Sequence, residues 1–569
     1  MNNWIVYKAH KEIDVAQEYV IHHCDEFTLA VKSDNRFSGD QVFYSDKTRL
    51  VVQDGVLLNC NELCEKYSTK SILHLINTIR AQNKYAYFNE FIGPFSGMYY
   101  DKDDTELLAY VNQTGDAPLF WYSANNLFAV SNDFNLIVTL LKVNGILLKL
   151  NETAANYIMT FGYMIDESTM ICDVFRLLPG RRLIYNNGKA RTEVYHRFNF
   201  DDKDMSMDEA IELVDKQFRK AVARCFDKDL EYGYTHHLSD MSGGFDSRMT
   251  NWVAHDMGYT DTMNICYSQF GSDEMRYAAG VSKHLGNQFL FKQLDDSSFI
   301  YDIDDIIMTN YGLAVFCGVT GGLQLISSLS SDKFGLEHSG QLGDVSGGTF
   351  YRKYTGKRSI PDANSIKYSS RISAPSIQKV IADYPENEMF CMYTRGYLGA
   401  LSTHISRRHF YYTVSPFLDI DLINVIFSVP LKYRESHRFY WAWIDKKYPD
   451  AGKLPSTRKR PKSKSVEFIG RVMGRLHRDA RKLLFKMKLV KSRTSPDGMN
   501  PFDYWYETDD KLRMFIRNYY ETNKSLLCNY PDTEKNVNIM MASSKCMDKM
   551  LALTILGVMK NYFSKETIV

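Results

Sequence analysis

The sequence predicts a mixed fold in two parts: an α+β, strand-rich sandwich over residues 1–200, then an α/β unit built on a parallel sheet over residues 201–569. Three observations predict it. A chain of 569 residues exceeds one core at ~100–200 residues per domain. Before residue 200, short apolar runs alternate with turn signals; after it, longer helical patterns alternate with strands, the order that builds parallel sheets.

The strand-rich part reads from "FTLAV" (Phe27 to Val31) through "TRLVVQDGVLLN" (Thr48 to Asn59) and "FSGMYYD" (Phe95 to Asp101) to "RRLIYNNGKARTEVY" (Arg181 to Tyr195). In the last, Asn-Gly accepts the positive φ angles of a type I′ hairpin turn. After "RFNFDDKDMS" the pattern changes, and Ser206 three residues before Glu209 forms a capping box ahead of "AIELVDKQFRKAVARCF". "DSRMTNWVAHDMG" (Asp246 to Gly258) predicts a helix with Met249, Trp252, Val253 and Met257 on one face. Just before it, "THHLSD" is unexpectedly polar for a central parallel strand, and Asp240 there needs a partner or solvent. The longest uncharged run, Asn310 to Ser331, is long enough to span a bilayer, but Gly312, Gly318, Gly321, Gly322 and Gln324 favour a buried, tightly packed helix.

Composition, at 44% hydrophobic and 24% charged residues, is that of an ordinary globular protein. The ten cysteines include no CxxC pair, Cys60 and Cys64 lack zinc-ligand spacing downstream, and no signal peptide opens the chain. A reduced, cytoplasmic setting is expected. The net charge of +1 conceals an asymmetry: Ser456 to Arg493 holds fourteen Lys/Arg against Glu467 and Asp479, a local +12 that leaves −11 for the rest. Within it Ile469, Val472, Met473, Leu476, Ala480, Leu483, Leu484 and Met487 recur at helical spacing among basic residues. Such a helix over 469–488 either packs its stripe on the core or lies on an anionic membrane surface, where it could receive a lipid-linked substrate. No nucleic-acid-binding motif accompanies the charge, so no nucleic-acid partner is expected.

The stretch "SDMSGGFDSR" carries the chemistry. Ser242, Gly243 and Gly244 leave a strand and enter a helix, so several N–H groups can point at one anion beside the positive end of the helix dipole. That is a cradle for pyrophosphate. Asp246 adds a carboxylate among phosphates, which a magnesium ion would explain; the plainer alternative is a glycine turn with Asp246 as a helix cap. No Walker A sequence competes. Ninety-eight residues beyond Asp246, "HSGQLGDVSGGTF" (His338 to Phe350) is a second glycine-rich turn with one buried-looking acid, Asp344, and the two loops could share a metal. Further on lie "SPFLDIDLINVIFSVP" (Ser415 to Pro430) and "LPSTRKRPK" (Leu454 to Lys462).

In this order the motifs resemble the asparagine synthetase family and its β-lactam synthetase and lasso-peptide-cyclase relatives over nearly the whole chain. "MSGGFDSR" is similar to the family's SGGxDS pyrophosphate loop, "SGQLGDVSGG" to its SGxGxDExxGG loop, "SPFLD" to its PFLD segment, and Arg460-Pro461-Lys462 to its Arg-x-Lys. "FSGMYYD", "NQTGDAPLFWYS", "VSND" and "LLPGRRLIY" resemble its glutaminase domain. The resemblance implies an Ntn-hydrolase-like sandwich, here a degenerate type 2 glutamine amidotransferase domain over 1–200. It implies an adenine-nucleotide α-hydrolase-like (PP-loop) domain with ATP pyrophosphatase chemistry over 201–569. It further implies ATP and Mg²⁺: Ser242, Gly243, Gly244, Ser247, Gly340 and Gly343 around the nucleotide, Asp246 and Asp344 on the metal. Lys462 would stabilise the adenylation transition state or the later oxyanion, although Arg458, Lys459, Arg460 or Lys464 could fill that role.

Departures from the pattern shape the expected function. In the family a cysteine left as the first residue hydrolyses glutamine, its own amine serving as base. This chain opens Met1-Asn2-Asn3-Trp4, and the nearest cysteine, Cys24, is internal. Unless its first residues were lost or altered, the domain is expected to fold without glutaminase activity, the amine coming from ammonia, a partner glutaminase or an organic amine. Gln341 stands where asparagine synthetases carry Glu and β-lactam synthetases Tyr, so the acceptor pocket is expected to differ from both, and Val345 replaces the acid after Asp344. Arg248 could pair with nucleotide or a substrate carboxylate, or form a salt bridge. The expected activity is AMP-forming amide ligation on a small or lipid-linked carboxylate, in surface-polysaccharide or secondary-metabolite biosynthesis, by a homo-oligomer. The alternatives are an ammonia-using asparagine synthetase and a non-enzymatic scaffold.

Overall fold

The computed structural model describes residues 2–318, 320–330, 332–351, 358–458 and 499–564, with scattered positions between 473 and 495. Its first part holds two six-stranded sheets in which every pairing is antiparallel. One sheet centres on Asn3–Lys8 between Leu127–Ser131 and Phe27–Lys32; the other centres on Glu106–Val111 and Phe95–Asp101. Trp4, Val6, Leu29 and Val130 of the first sheet meet Leu50, Val52, Met98 and Ala109 of the second in one core. Alternate residues of the second sheet, Val51, Tyr99 and Leu108, face outward against the helices Cys60–Lys66 and Ile72–Gln82. The outer face of the first sheet is covered by the helices Phe134–Val143, Glu152–Phe161 and Cys546–Val558, the last buried at every position but Met547. This is the expected α+β sandwich. The hairpin Arg181–Asn186/Lys189–Val194 turns through Asn187 (φ 48°) and Gly188 (φ 77°), the two positive angles that Asn-Gly favours.

The second part opens with the helix Met207–Glu231, held at its start by the Ser206–Glu209 capping box. Five parallel strands follow, in spatial order Gln288–Gln293, Thr262–Ser268, His237–Asp240, Glu337–His338, Thr413–Val414. Successive strands add outward on one side of His237–Asp240, and then the chain crosses to its other side. Ligands of such sheets bind where the order reverses, at the carboxyl ends of the strands. Here that point lies between His237–Asp240 and Glu337–His338, the two strands that lead into the glycine loops. The largest core takes residues from both parts of the chain, from Ile5 to Tyr562.

Three expectations change. The polar strand finds partners: Nδ1 of His237 and Nε2 of His338 both lie 2.8 Å from Asp229 Oδ2, Ser239 Oγ donates to the His338 carbonyl, and Arg407 Nη1 donates to Asp240 Oδ2 at 2.8 Å. The run Asn310 to Ser331 is no single helix: Ile303–Asn310 stops at Tyr311 (φ 60°) and Gly312 (φ 67°), and the separate helix Thr320–Ser327 follows. Among the described residues no helix is long and apolar enough to cross a membrane. The described members of the basic region's apolar stripe are exposed, Met473 at 62% and Leu476 at 59%, and so do not pack on the core; Ile469 and Val472 lie outside the described residues.

Candidate active site

The first loop is closed by its own hydroxyls. The Ser242 amide donates to Ser247 Oγ at 2.9 Å, and the Gly244 amide donates to Ser242 Oγ at 3.2 Å. The Gly243 amide donates to Glu274 Oε1 at 2.9 Å, so a carboxylate already sits on one of the N–H groups expected to cradle pyrophosphate. The Gly243 carbonyl accepts from the Thr457 amide and from Ser456 Oγ, which ties the segment before Arg458 to this loop. The second loop presses on the first through two glycines. A Cβ at Gly340 would lie 2.2 Å from the Ser247 nitrogen, and one at Gly343 would lie 2.7 Å from Asp246 Cβ, so neither position tolerates a side chain.

This contact brings the two acids together. Asp246 begins the helix Asp246–Asp256 without capping it; Tyr440 donates its hydroxyl to Asp246 Oδ1 at 2.9 Å. Desolvation first, and then the charge of Asp344, push the Asp246 carboxyl up to about 7, against the opposing pull of Arg458. Asp344 lies in the short helix Gly343–Ser346 and is 34% exposed rather than buried as expected. It accepts from Thr349 Oγ1 at 2.8 Å, and Arg458 Nη1 stands 3.6 Å from its Oδ2. Arg458 Nη2 lies 2.6 Å from His437 Nε2, and desolvation together with the Arg458 charge lowers His437 to about 4, leaving a neutral ring able to accept. Two acids in one site, Asp246 poorly solvated and Asp344 3.6 Å from the single guanidinium of Arg458, have a donor set that suits a divalent cation.

A cavity of about 370 Å³ opens here, lined by Ser242, Asp246, Ser247, Gly340, Gln341 and Asp344 among others. The structure thus brings six of the sequence-predicted positions to one wall. Gly243, Gly244 and Gly343 shape the loops. Lys462, Lys459, Arg460 and Lys464 lie outside the described residues, which leaves Arg458 as the described cation of that stretch. Arg248 is not among the residues that line the cavity: it is buried, and its guanidinium donates to the carbonyls of Ala451, Leu454 and Pro455 at 2.6 to 3.0 Å. It fixes the chain that leads to Arg458. Sequence reasoning missed Glu274 and Tyr440. Glu274 had a signal, a Ser272 cap after an apolar strand, whereas Tyr440 is recruited from a distant helix.

The amino-terminal strand carries a different arrangement. Asn2, fully buried, donates through Nδ2 to Gln41 Oε1 (2.8 Å) and Asp54 Oδ1 (3.0 Å), while its Oδ1 accepts from the Asp34 amide. Asp54 Oδ2 accepts from Asn132 Nδ2 and from Arg408 Nη2, which reaches in from the second part. Cys24 is buried among apolar residues, and burial raises its thiol to about 11, far from a thiolate at neutral pH.

Residues 25–196 match a family model for a glutamine amidotransferase domain. The first part of the chain is therefore similar to an amidotransferase domain, the class that transfers amide nitrogen. A search of curated proteins found no match to this chain. Among solved structures, the chain is similar to the glutamine phosphoribosylpyrophosphate amidotransferase of B. subtilis complexed with ADP and GMP, with 9% identity and a TM-score of 0.22 over 51% of this chain and 59% of that one. A second, described as the allosteric regulatory enzyme of purine biosynthesis, gives 11% identity and the same TM-score over 51% and 58%. The match spans under two thirds of either relative, and at that TM-score the likeness carries no argument.

Proposed function

We propose that the chain is an ATP-dependent, AMP-forming amide ligase whose second part is a PP-loop domain of the asparagine synthetase type. One observation carries the reading: two glycine loops at the reversal point of a parallel sheet meet through Gly340 and turn Asp246 and Asp344 into one cavity. A substrate carboxylate oxygen attacks the α-phosphorus of ATP and pyrophosphate leaves; an amine then attacks the acyl carbon and AMP leaves. Ser242, Ser247 and the loop amides bind the departing pyrophosphate, which requires the Glu274 carboxylate to leave the Gly243 amide and the Ser242 and Gly244 amides to exchange their serine hydroxyl partners. Asp246 and Asp344 hold Mg²⁺, which when bound neutralises charge developing on the leaving group. Arg458, or Lys462 beyond it, supplies positive charge to the adenylation transition state. Gln341, which lines the cavity, is assigned to the acceptor.

The amine comes from ammonia or an organic amine rather than glutamine hydrolysis, supported by the satisfied Asn2 amide and the inert, buried Cys24. The scaffold reading draws on the Ser242, Gly243 and Gly244 amides already bonded within the chain; two acids beside that loop weigh against it. The test is pyrophosphate release from ATP and Mg²⁺ with ammonia, glutamine or small amines, against carboxylates including aspartate and uronic acids. Release with ammonia or an amine but not glutamine, lost in Asp246→Ala, supports the reading. Glutamine-driven turnover contradicts the amino-terminal half of it.

A further inference from the structure

Among the described residues, Met473, Leu476, Leu483, Leu484, Met487 and Leu489 make up six of the eighteen large apolar side chains that stand exposed. Exposed apolar residues scattered singly are ordinary, so their concentration in one short segment marks an interaction surface. Positions 473, 476, 479–481 and 483–485 are helical, and the Met487 amide donates to the Leu483 carbonyl at 2.9 Å, which carries the last turn on to Met487. At 3.6 residues per turn, Met473, Leu476, Leu483, Leu484 and Met487 fall within one arc of about 100°, and the exposed Ala480 lies inside it. None of the six belongs to a hydrophobic core. The segment is held from another side. Arg481 and Phe485 lie outside that arc: Arg481 Nε donates to the Ser492 carbonyl at 3.3 Å, and the Arg493 guanidinium carbon stands 5.8 Å from the Phe485 ring centre. Ser492 is buried, and Ser492 Oγ and Arg493 Nε both donate to Glu507 of the helix Phe502–Thr508. This tether leaves the apolar stripe to solvent.

The charge of the segment identifies what covers the stripe. In sequence, residues 469–488 carry seven Lys/Arg against Asp479 alone. Nucleic acid would take the cations and leave the Met and Leu side chains in water. A second copy laid stripe against stripe would bring like charges together. An anionic lipid surface satisfies both features, with headgroups beside the Lys/Arg and the apolar stripe at the acyl boundary. We infer that Met473, Leu476, Leu483, Leu484 and Met487 form the inserting face of a docking surface for a membrane of anionic phospholipid, on which the chain lies without spanning it. The segment runs on from the cavity: Ser456 and Thr457 bond to the Gly243 carbonyl, Arg458 stands at Asp344, and Met473 follows fifteen positions later. Docking here brings the loop site to a lipid surface, whatever reaction that site performs.

The test is cosedimentation of the full chain with vesicles of phosphatidylcholine alone and of phosphatidylcholine with about one third phosphatidylserine. The expected result is partition into the anionic vesicles about tenfold or more above the neutral ones. Binding should weaken as NaCl rises from about 0.1 to about 1 M, where the Debye length shrinks from about 10 to about 3 Å. The triple variant Met473→Ser/Leu476→Ser/Leu483→Ser should lose about tenfold or more of the partition with an unchanged thermal melt, since all three side chains are exposed. Leu147→Ser, at an 81% exposed site in the first part of the chain, is the control and should bind as wild type does. Equal partition into neutral and anionic vesicles, no partition into either, or a triple variant that binds as wild type does overturns the inference. Retention of mixed-sequence RNA or DNA without vesicle binding would assign the charge to nucleic acid instead. Self-association that the triple variant abolishes, again without vesicle binding, would assign the stripe to a second copy; either outcome also overturns it.

Discussion

Gly340 lies against Ser247 so closely that a Cβ on the glycine would stand 2.2 Å from the serine's backbone nitrogen. No real Cβ occupies such a position, so Gly340→Ala must push the two loops apart. The expected cost is ~1–3 kcal/mol of stability, as for other overpacked sites, with at least a tenfold loss of Mg²⁺-ATP affinity. Gly280→Ala serves as the control, because it lies within the helix Asp273–Leu285 with nothing inside 4 Å of the added methyl. It should gain about 0.5–1 kcal/mol from helix propensity and leave nucleotide binding unchanged. Thermal melts and ATP titrations of both variants check the pair.

Arg248 acts at a distance from the cavity. Its three bonds to the carbonyls of Ala451, Leu454 and Pro455 anchor the chain just before Ser456 and Thr457, which grip the Gly243 carbonyl. Arg248→Met leaves the buried Ala451 carbonyl unpaired at about 1–3 kcal/mol before relaxation, with less at the part-buried Leu454 and Pro455 carbonyls. A clear fall in denaturation midpoint is expected, with weaker nucleotide binding. A lysine cannot span three carbonyls, so Arg248→Lys should restore only part of the loss.

Asp40 joins the two parts of the chain. Its Oδ1 accepts from Lys228 Nζ and Tyr232 Oη, each at 3.2 Å, and its Oδ2 from the Leu57 amide. Burial raises its carboxyl to about 6, with Lys228 opposing. A raised folded-state value favours the protonated form, so the contribution is complete below about pH 4 and is lost as the pH rises through about 6. The difference in unfolding free energy between wild type and Asp40→Asn should therefore change by about 2 kcal/mol between pH 4 and 7. A pH-independent difference would show that Asp40 stays ionised in the fold.

The loops were legible in the sequence because close backbone approach demands glycine, and Gly340 and Gly343 meet that demand within one short segment. The capping box at Ser206 and the Asn187-Gly188 turn were legible for the same local reason. The strands of the sandwich showed as apolar runs without polarity alternation, since helices cover the outer faces that Val51, Tyr99 and Leu108 occupy. What stayed hidden depends on residues distant in sequence. Asp240 looked misplaced until Arg407 met it, Arg248 looked like a ligand until Pro455 covered it, and Tyr440 reaches Asp246 from 194 positions away. The uncharged run at Asn310 misled because Gly312 breaks the helix, whereas Gly322 packs the separate helix Thr320–Ser327 against Tyr267.

The account stands on Asp246 and Asp344 jointly holding Mg²⁺-ATP at the meeting of the two loops, and equilibrium binding of ATP with and without Mg²⁺ tests that most directly. Wild type is predicted to bind ATP in a Mg²⁺-dependent manner, with at least a tenfold loss in Asp246→Ala and in Asp344→Ala while thermal melts remain cooperative. Binding that ignores the metal or either substitution, or no binding at all, would contradict it.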